Sequence, residues 1–101
     1  AAFDVTLACS GYVYSLNILK SFMAVNGFSK GIIFTCDPCS KILNPEDKNA
    51  DLLLGDAATA TLLSAQGKFE ICKTAFCTSS QNYDTIIKRQ GVYLSRQQAG
   101  I

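Results

Sequence analysis

From Tyr12 to Asn26 the apolar residues recur at helical spacing, with Val13, Leu16, Leu19 and Met23 on one stripe and Tyr12, Ile18 and Phe22 widening it. Asn26-Gly27 supplies a left-handed stop. The chain then enters the unbroken β-type run Gly31-Ile32-Ile33-Phe34-Thr35-Cys36, closed by Asp37-Pro38. A helix apolar nearly all round is expected to be buried, and a strand with no polar alternation is expected to lie inside a parallel sheet. Upstream, residues 1–8 alternate at Phe3, Val5 and Leu7 until Cys9-Ser10-Gly11 breaks the pattern, which predicts a strand entering a tight turn. The order strand, helix, strand predicts a right-handed crossover and an α/β class.

Further along, a loop or short helix is expected through Asn44-Pro45-Glu46-Asp47, and Leu52-Leu53-Leu54 leads to Gly55-Asp56. Residues 57–65 and 69–78 read as two more strands, and residues 81–101 as an irregular tail with a partial helix. No internal repeat or low-complexity linker divides the chain.

Hydrophobic residues make up 49% of the 101 residues and charged ones 17%. That balance suits elements covered on both faces and is unlike that of a disordered segment. Nine Lys and Arg against eight Asp and Glu leave a net charge of +1 without a basic run, so neither nucleic acid nor an anionic membrane is an expected partner. No apolar stretch approaches the ~18 residues of a membrane span, and a soluble, cytoplasmic protein is expected. An ordinary core needs about 100 to 150 residues. With Ala1 rather than Met at the start of a strand-like run, the chain reads as part of a larger domain that has lost an upstream segment.

Five cysteines, an odd number set inside apolar runs, resemble buried thiols more than a disulfide framework. Cys9 stands between the expected strand and the first turn of the helix, where unpaired N–H groups and the helix dipole favour a thiolate. Its position alone is equally compatible with a nucleophile and with a small hydrophobe in the core. Cys36-Asp37-Pro38-Cys39 is a C-x-x-C that could be joined with Cys72 and Cys77 in a zinc site. On an extended strand Cys72 and Cys77 would point to opposite faces, and no helix start follows Cys36 to activate a redox thiol, so neither a metal nor a redox cofactor is expected. Gly-x-Ser-x-Gly is absent and the chain has no His, which removes the usual base of a serine hydrolase.

The stretch Phe3-Asp4-Val5-Thr6-Leu7-Ala8-Cys9-Ser10-Gly11-Tyr12-Val13-Tyr14 resembles the active-site segment of 3-oxoacyl-acyl carrier protein synthase III, a ketosynthase family of the thiolase superfamily. Three more stretches agree in order and spacing. They are residues 31–37 as the strand after the nucleophile helix, residues 37–47 (DPCSKILNPED), and Leu53-Leu54-Gly55-Asp56-Ala57-Ala58, similar to the family's Gly-Asp-Gly-Ala turn.

The resemblance implies a partial thiolase-like fold, the central part of its N-terminal α/β half, with residues 1–101 as one unit ending in an irregular tail. It implies that Cys9 takes an acyl group from acyl-coenzyme A and condenses it with a malonyl group on acyl carrier protein, as in fatty acid biosynthesis. The Cys9 N–H would contribute to the oxyanion hole, and a homodimer would form along a sheet edge that residues 1–8 help build. The His and Asn that complete such sites come from the C-terminal half, so this chain is expected not to run the full cycle.

By position, Lys48 stands where an arginine near the coenzyme A phosphates is common, though a solvated loop lysine reads equally well. Cys39 and Leu54 align with the acyl pocket, or are plain core. Gly55 and Asp56 form a structural turn, with Asp56 bonding to nearby backbone. Ala57 and Thr59 replace glycines usual in that turn, and Asn49 replaces a small residue. Alternatives are a related acyltransferase of secondary-metabolite or polysaccharide biosynthesis and a noncatalytic scaffold or dimerisation piece.

Overall fold

The computed structural model describes residues 1–43 and 48–83. Helix α1 (Gly11–Asn26) is followed by strand β1 (Lys30–Asp37), a 3-10 turn (Cys39–Lys41), the short helix α2 (Lys48–Leu53) and strand β2 (Ala57–Ser64). The expected loop over Asn44-Pro45-Glu46-Asp47, the side chain of Asn49 and the tail from residue 84 onward lie outside the described residues.

Helix α1 ends as its sequence requires. Gly27 takes φ 69° and ψ 25°, and the Met23 carbonyl accepts its N–H together with that of Phe28, at 2.9 Å for the latter. This closing pattern normally brings an apolar contact across the turn. Here it is Phe22 against Phe28, with ring centroids 5.9 Å apart.

Strands β1 and β2 pair antiparallel over their whole length, from Lys30 opposite Ser64 to Asp37 opposite Ala57. The sequence places β1 inside a parallel sheet, reached from residues 1–8 by a crossover through α1; its partner is instead β2, and the pairing is antiparallel. Between them, in residues 38–56, the six-residue α2 is about 9 Å long. β2 enters from the end where β1 stops, with Ala57 opposite Asp37.

Side chains alternate across the ladder. Gly31, Ile33 and Thr35 share one face with Leu63, Thr61 and Thr59, and α1 packs on that face. Met23, Ile33 and Leu63 are buried there, with Leu16, Leu19 and Ile71 packed around them. Gly31 permits the close approach, because a Cβ at that position would stand 2.8 Å from Met23 Sδ and 2.9 Å from Leu19 Cδ1.

Four further expectations are corrected. Residues 1–8 form no strand; they are exposed and extended irregularly, held to α1 by Phe3 edge-on to Phe22 at 5.5 Å. Their alternation is compatible with a strand, but a strand exists only where another backbone meets its donors. Residues 69–78 form no strand either. Side chains of α1 fasten this segment instead, through Tyr14 on Phe76 at 4.8 Å, Asn17 Nδ2 to Thr74 Oγ1 at 3.4 Å and Lys20 Nζ to the Ile71 carbonyl. Finally, the helix is not buried all round, since only Gly11 and Met23 are. Nor is the sheet covered on both faces, because Ile32, Phe34 and Leu62 on the side away from α1 are exposed. Among the described residues no helix is long and apolar enough to cross a membrane.

Candidate functional site

Helix α1 and β1 run in opposite directions through a short loop, so the Asp37 end of β1 lies beside the start of α1. Cys9 belongs to the turn that precedes α1. The Gly11 N–H donates to the Ala8 carbonyl at 2.7 Å, which closes the turn and leaves Cys9 exposed at its tip. Ser10 is the N-cap but makes no side-chain capping bond, and the first turn of α1 carries no acidic residue. The partial positive charge of the helix start therefore faces no side-chain anion of its own turn.

Cys9 opens into a cleft of about 1260 Å³ between residues 1–8, one side of α1 and β1. Its walls carry Tyr12, Ser15, Ile18, Leu19, Phe22 and Met23 from α1 and residues 30–37 of β1, and they take in Ile32, Phe34 and Leu62 of the outer sheet face as well. Two hydroxyl pairs lie on the sheet face under α1. Tyr12 Oη and Thr61 Oγ1 share a hydrogen bond at 3.1 Å, and Thr35 Oγ1 and Thr59 Oγ1 share one at 2.6 Å across the ladder. A smaller hollow of about 300 Å³, lined by Cys36, Pro38, Asp56, Ala57 and Ala58, lies behind it.

A second cluster ties down the loop after β1. Ser40 donates its backbone N–H to Asp56 Oδ1 at 2.7 Å and its hydroxyl to Asp56 Oδ2 at 2.6 Å. The hydroxyl and then the backbone donor hold the Asp56 carboxyl below its ordinary value, against a desolvation that raises it and with the charge of Lys41 also lowering it. The carboxylate of Asp56 thus clamps the 3-10 turn to the entry of β2, across 16 residues of chain. Its neighbour Gly55 stands in open space with no backbone in the left-handed region.

The remaining predicted site residues are not brought to Cys9. Cys39 is half-buried at the start of the 3-10 turn, where its carbonyl accepts the N–H groups of Ile42 and Leu43, both at 3.0 Å. Lys48 begins α2 and is exposed, and Leu54 follows α2 at the surface. None of the three is among the described residues lining the Cys9 cleft. All five cysteines are free thiols, and among the described residues no three Cys, Asp or Glu gather where they could hold a metal ion.

Sequence reasoning missed Ser40 and the hydroxyl pairs. The alternation of Thr59 and Thr61 was a readable sign that both share a face, but their partners depended on the register.

Residues 3–80 match the family model described as 3-oxoacyl-[acyl-carrier-protein (ACP)] synthase III. The beta-ketoacyl-[acyl-carrier-protein] synthase III of Aliarcobacter butzleri (strain RM4018) is 38% identical over 92 residues, which cover 89% of this chain and 27% of that protein. The protein of the same name from Pasteurella multocida (strain Pm70) is 34% identical over 85 residues, 84% of this chain and 27% of the relative. That from Clostridioides difficile (strain 630) is 31% identical over 85 residues, 84% and 26%. The chain therefore spans about a quarter of the length of these curated relatives. No solved structure matches it.

Proposed function

Since the chain belongs to the 3-oxoacyl-[acyl-carrier-protein] synthase III family, we propose that it carries the nucleophile segment of a condensing acyltransferase, with Cys9 as the acyl acceptor. The Cys9 thiolate attacks the thioester carbonyl of an acyl-coenzyme A, forming a carbon–sulfur bond and a tetrahedral oxyanion. Collapse breaks the bond to the coenzyme A sulfur, which leaves and takes up the proton that Cys9 gave away. The N–H of Cys9 and the start of α1 are the groups that would face the developing negative charge, where one well-placed donor is worth roughly 10²–10³ in rate. Condensation with a malonyl group on acyl carrier protein, in a homodimer, completes the cycle of such an enzyme. This chain contains no His, so loading is the half-reaction assigned to its own residues.

Exposure of Cys9 at the turn before α1, at the mouth of the cleft, is the observation that carries this reading. Lys48, Cys39 and Leu54 keep their proposed roles in binding coenzyme A and the acyl chain.

The test is to incubate the chain with butyryl-coenzyme A and locate the added mass by peptide mapping. Labelling at Cys9, abolished by Cys9→Ser and weak at Cys36, Cys39, Cys72 and Cys77, is the expected result. Equal labelling of all five thiols, or none, removes the assignment and favours a noncatalytic scaffold.

A further inference from the structure

The sheet face beneath α1 changes chemistry along its length. At the Lys30 end it is apolar, with Gly31 and Leu63 opposite one another under Leu19 and Met23. At the Asp37 end it is hydroxyl, with Thr35 opposite Thr59, Thr61 one alternation along, and Tyr12 reaching down from α1 to bond Thr61. Thr35 and Tyr12 also line the cleft into which Cys9 opens. Each hydroxyl has one donor and two acceptor sites, so a pair that shares one hydrogen bond keeps one O–H and several lone pairs for another partner. Each pair puts one hydroxyl, that of Thr35 or of Tyr12, on the wall of the cleft that Cys9 also lines, with Thr59 and Thr61 as their partners on the sheet.

We infer that the Thr35–Thr59 and Tyr12–Thr61 pairs select the acyl group, favouring one with an oxygen near its thioester, such as a short hydroxyacyl chain, over a plain aliphatic chain of the same length. This rests on the reading of Cys9 as an acyl acceptor and goes beyond it by naming the substrate class. A site furnished with hydrogen-bonding groups discriminates against an analogue that cannot use them, because the groups lose their solvent partners without gaining new ones. Here the cleft is open and Thr59 is exposed, so water still reaches the hydroxyls. The discrimination is accordingly about tenfold rather than the ~10⁴ of a closed site.

A competition experiment tests this. The chain is offered equal amounts of butyryl-coenzyme A and 3-hydroxybutyryl-coenzyme A, and the two Cys9 adducts, which differ in mass by one oxygen, are quantified. The hydroxyacyl adduct should dominate by about tenfold. The double variant Thr35→Val and Thr59→Val keeps shape and β-branching while removing both hydroxyls, and it should lower the ratio by about threefold. Tyr12→Phe, read alongside in case the double variant does not fold, should lower the ratio by about threefold as well, each pair carrying about half of the preference in free energy. Loading of Cys9 without preference, or a preference that survives these substitutions, overturns the inference and leaves the acceptor role standing. Absence of any Cys9 adduct from either thioester overturns both.

Discussion

Ser40 gives the Asp56 carboxylate two donors, one from its backbone and one from its hydroxyl, so the ionised form is favoured in the folded chain. The pKa is therefore lower folded than unfolded. Between the folded value and the ordinary 3.8 the unfolded chain binds more protons. The clamp's contribution to stability is thus fully present above the ordinary value and is lost as pH falls through the folded one. Ser40→Ala removes the hydroxyl but keeps the backbone N–H, so the Asp56 titration midpoint should move up part of the way and acid unfolding should begin at higher pH. Carboxyl-carbon NMR titration of both forms measures this, and coincident midpoints would show that the clamp does not persist in solution. The turn at Cys9 was legible, because it sits where a short-range pattern breaks, and so was the break before β2 at Asp56. The partner of Asp56 was not legible, for Ser40 lies 16 residues upstream and only the return of the chain brings it close.

Helix α1 and strands β1 and β2 were readable to within a residue or two, since each carries its own punctuation: Asn26-Gly27 after the helix, Asp37-Pro38 after β1, Gly55-Asp56 before β2. What alternation cannot supply is a partner. Residues 1–8 and 69–78 have strand-like patterns yet find the side chains of α1 rather than a free backbone edge, and nothing in the pattern of β1 or β2 carries the antiparallel sense of their pairing. The element contact most open to attack is Gly31 under α1. A methyl group there meets the flexible ends of Met23 and Leu19 rather than backbone, so Gly31→Ala should fold with a loss of about 1–3 kcal/mol, the usual range for overpacking. Gly31→Val adds two more carbons against the same neighbours and should cost more. Urea unfolding followed by far-UV circular dichroism reads both, and a neutral Gly31→Val would mean that α1 does not seat on β1 as described.

At the scale of the molecule, composition and burial disagree. A chain that is 49% hydrophobic has Met23, Ile33 and Leu63 as the buried hydrophobics of its described part. The outer sheet face leaves Ile32 56%, Phe34 76% and Leu62 61% exposed, adjacent on neighbouring strands. Both strands also have an outer edge that meets no strand among the described residues, and such edges and patches drive association. Complete burial of a large apolar side chain is worth about 1.5–3 kcal/mol, and a face-to-face pair would bury six of them, each in part. Against a cost of association of about 4–15 kcal/mol, this supports weak self-association at micromolar to millimolar concentration. Sedimentation velocity should therefore show a weight-average mass that rises with concentration. Phe34→Lys with Ile32→Lys should return it to the monomer, because a charged ammonium on each outer position loses hydration on pairing while the helix-facing side of β1 is untouched. A monodisperse monomer in the unaltered chain across that range would mean that the outer face is already covered by residues of the chain itself.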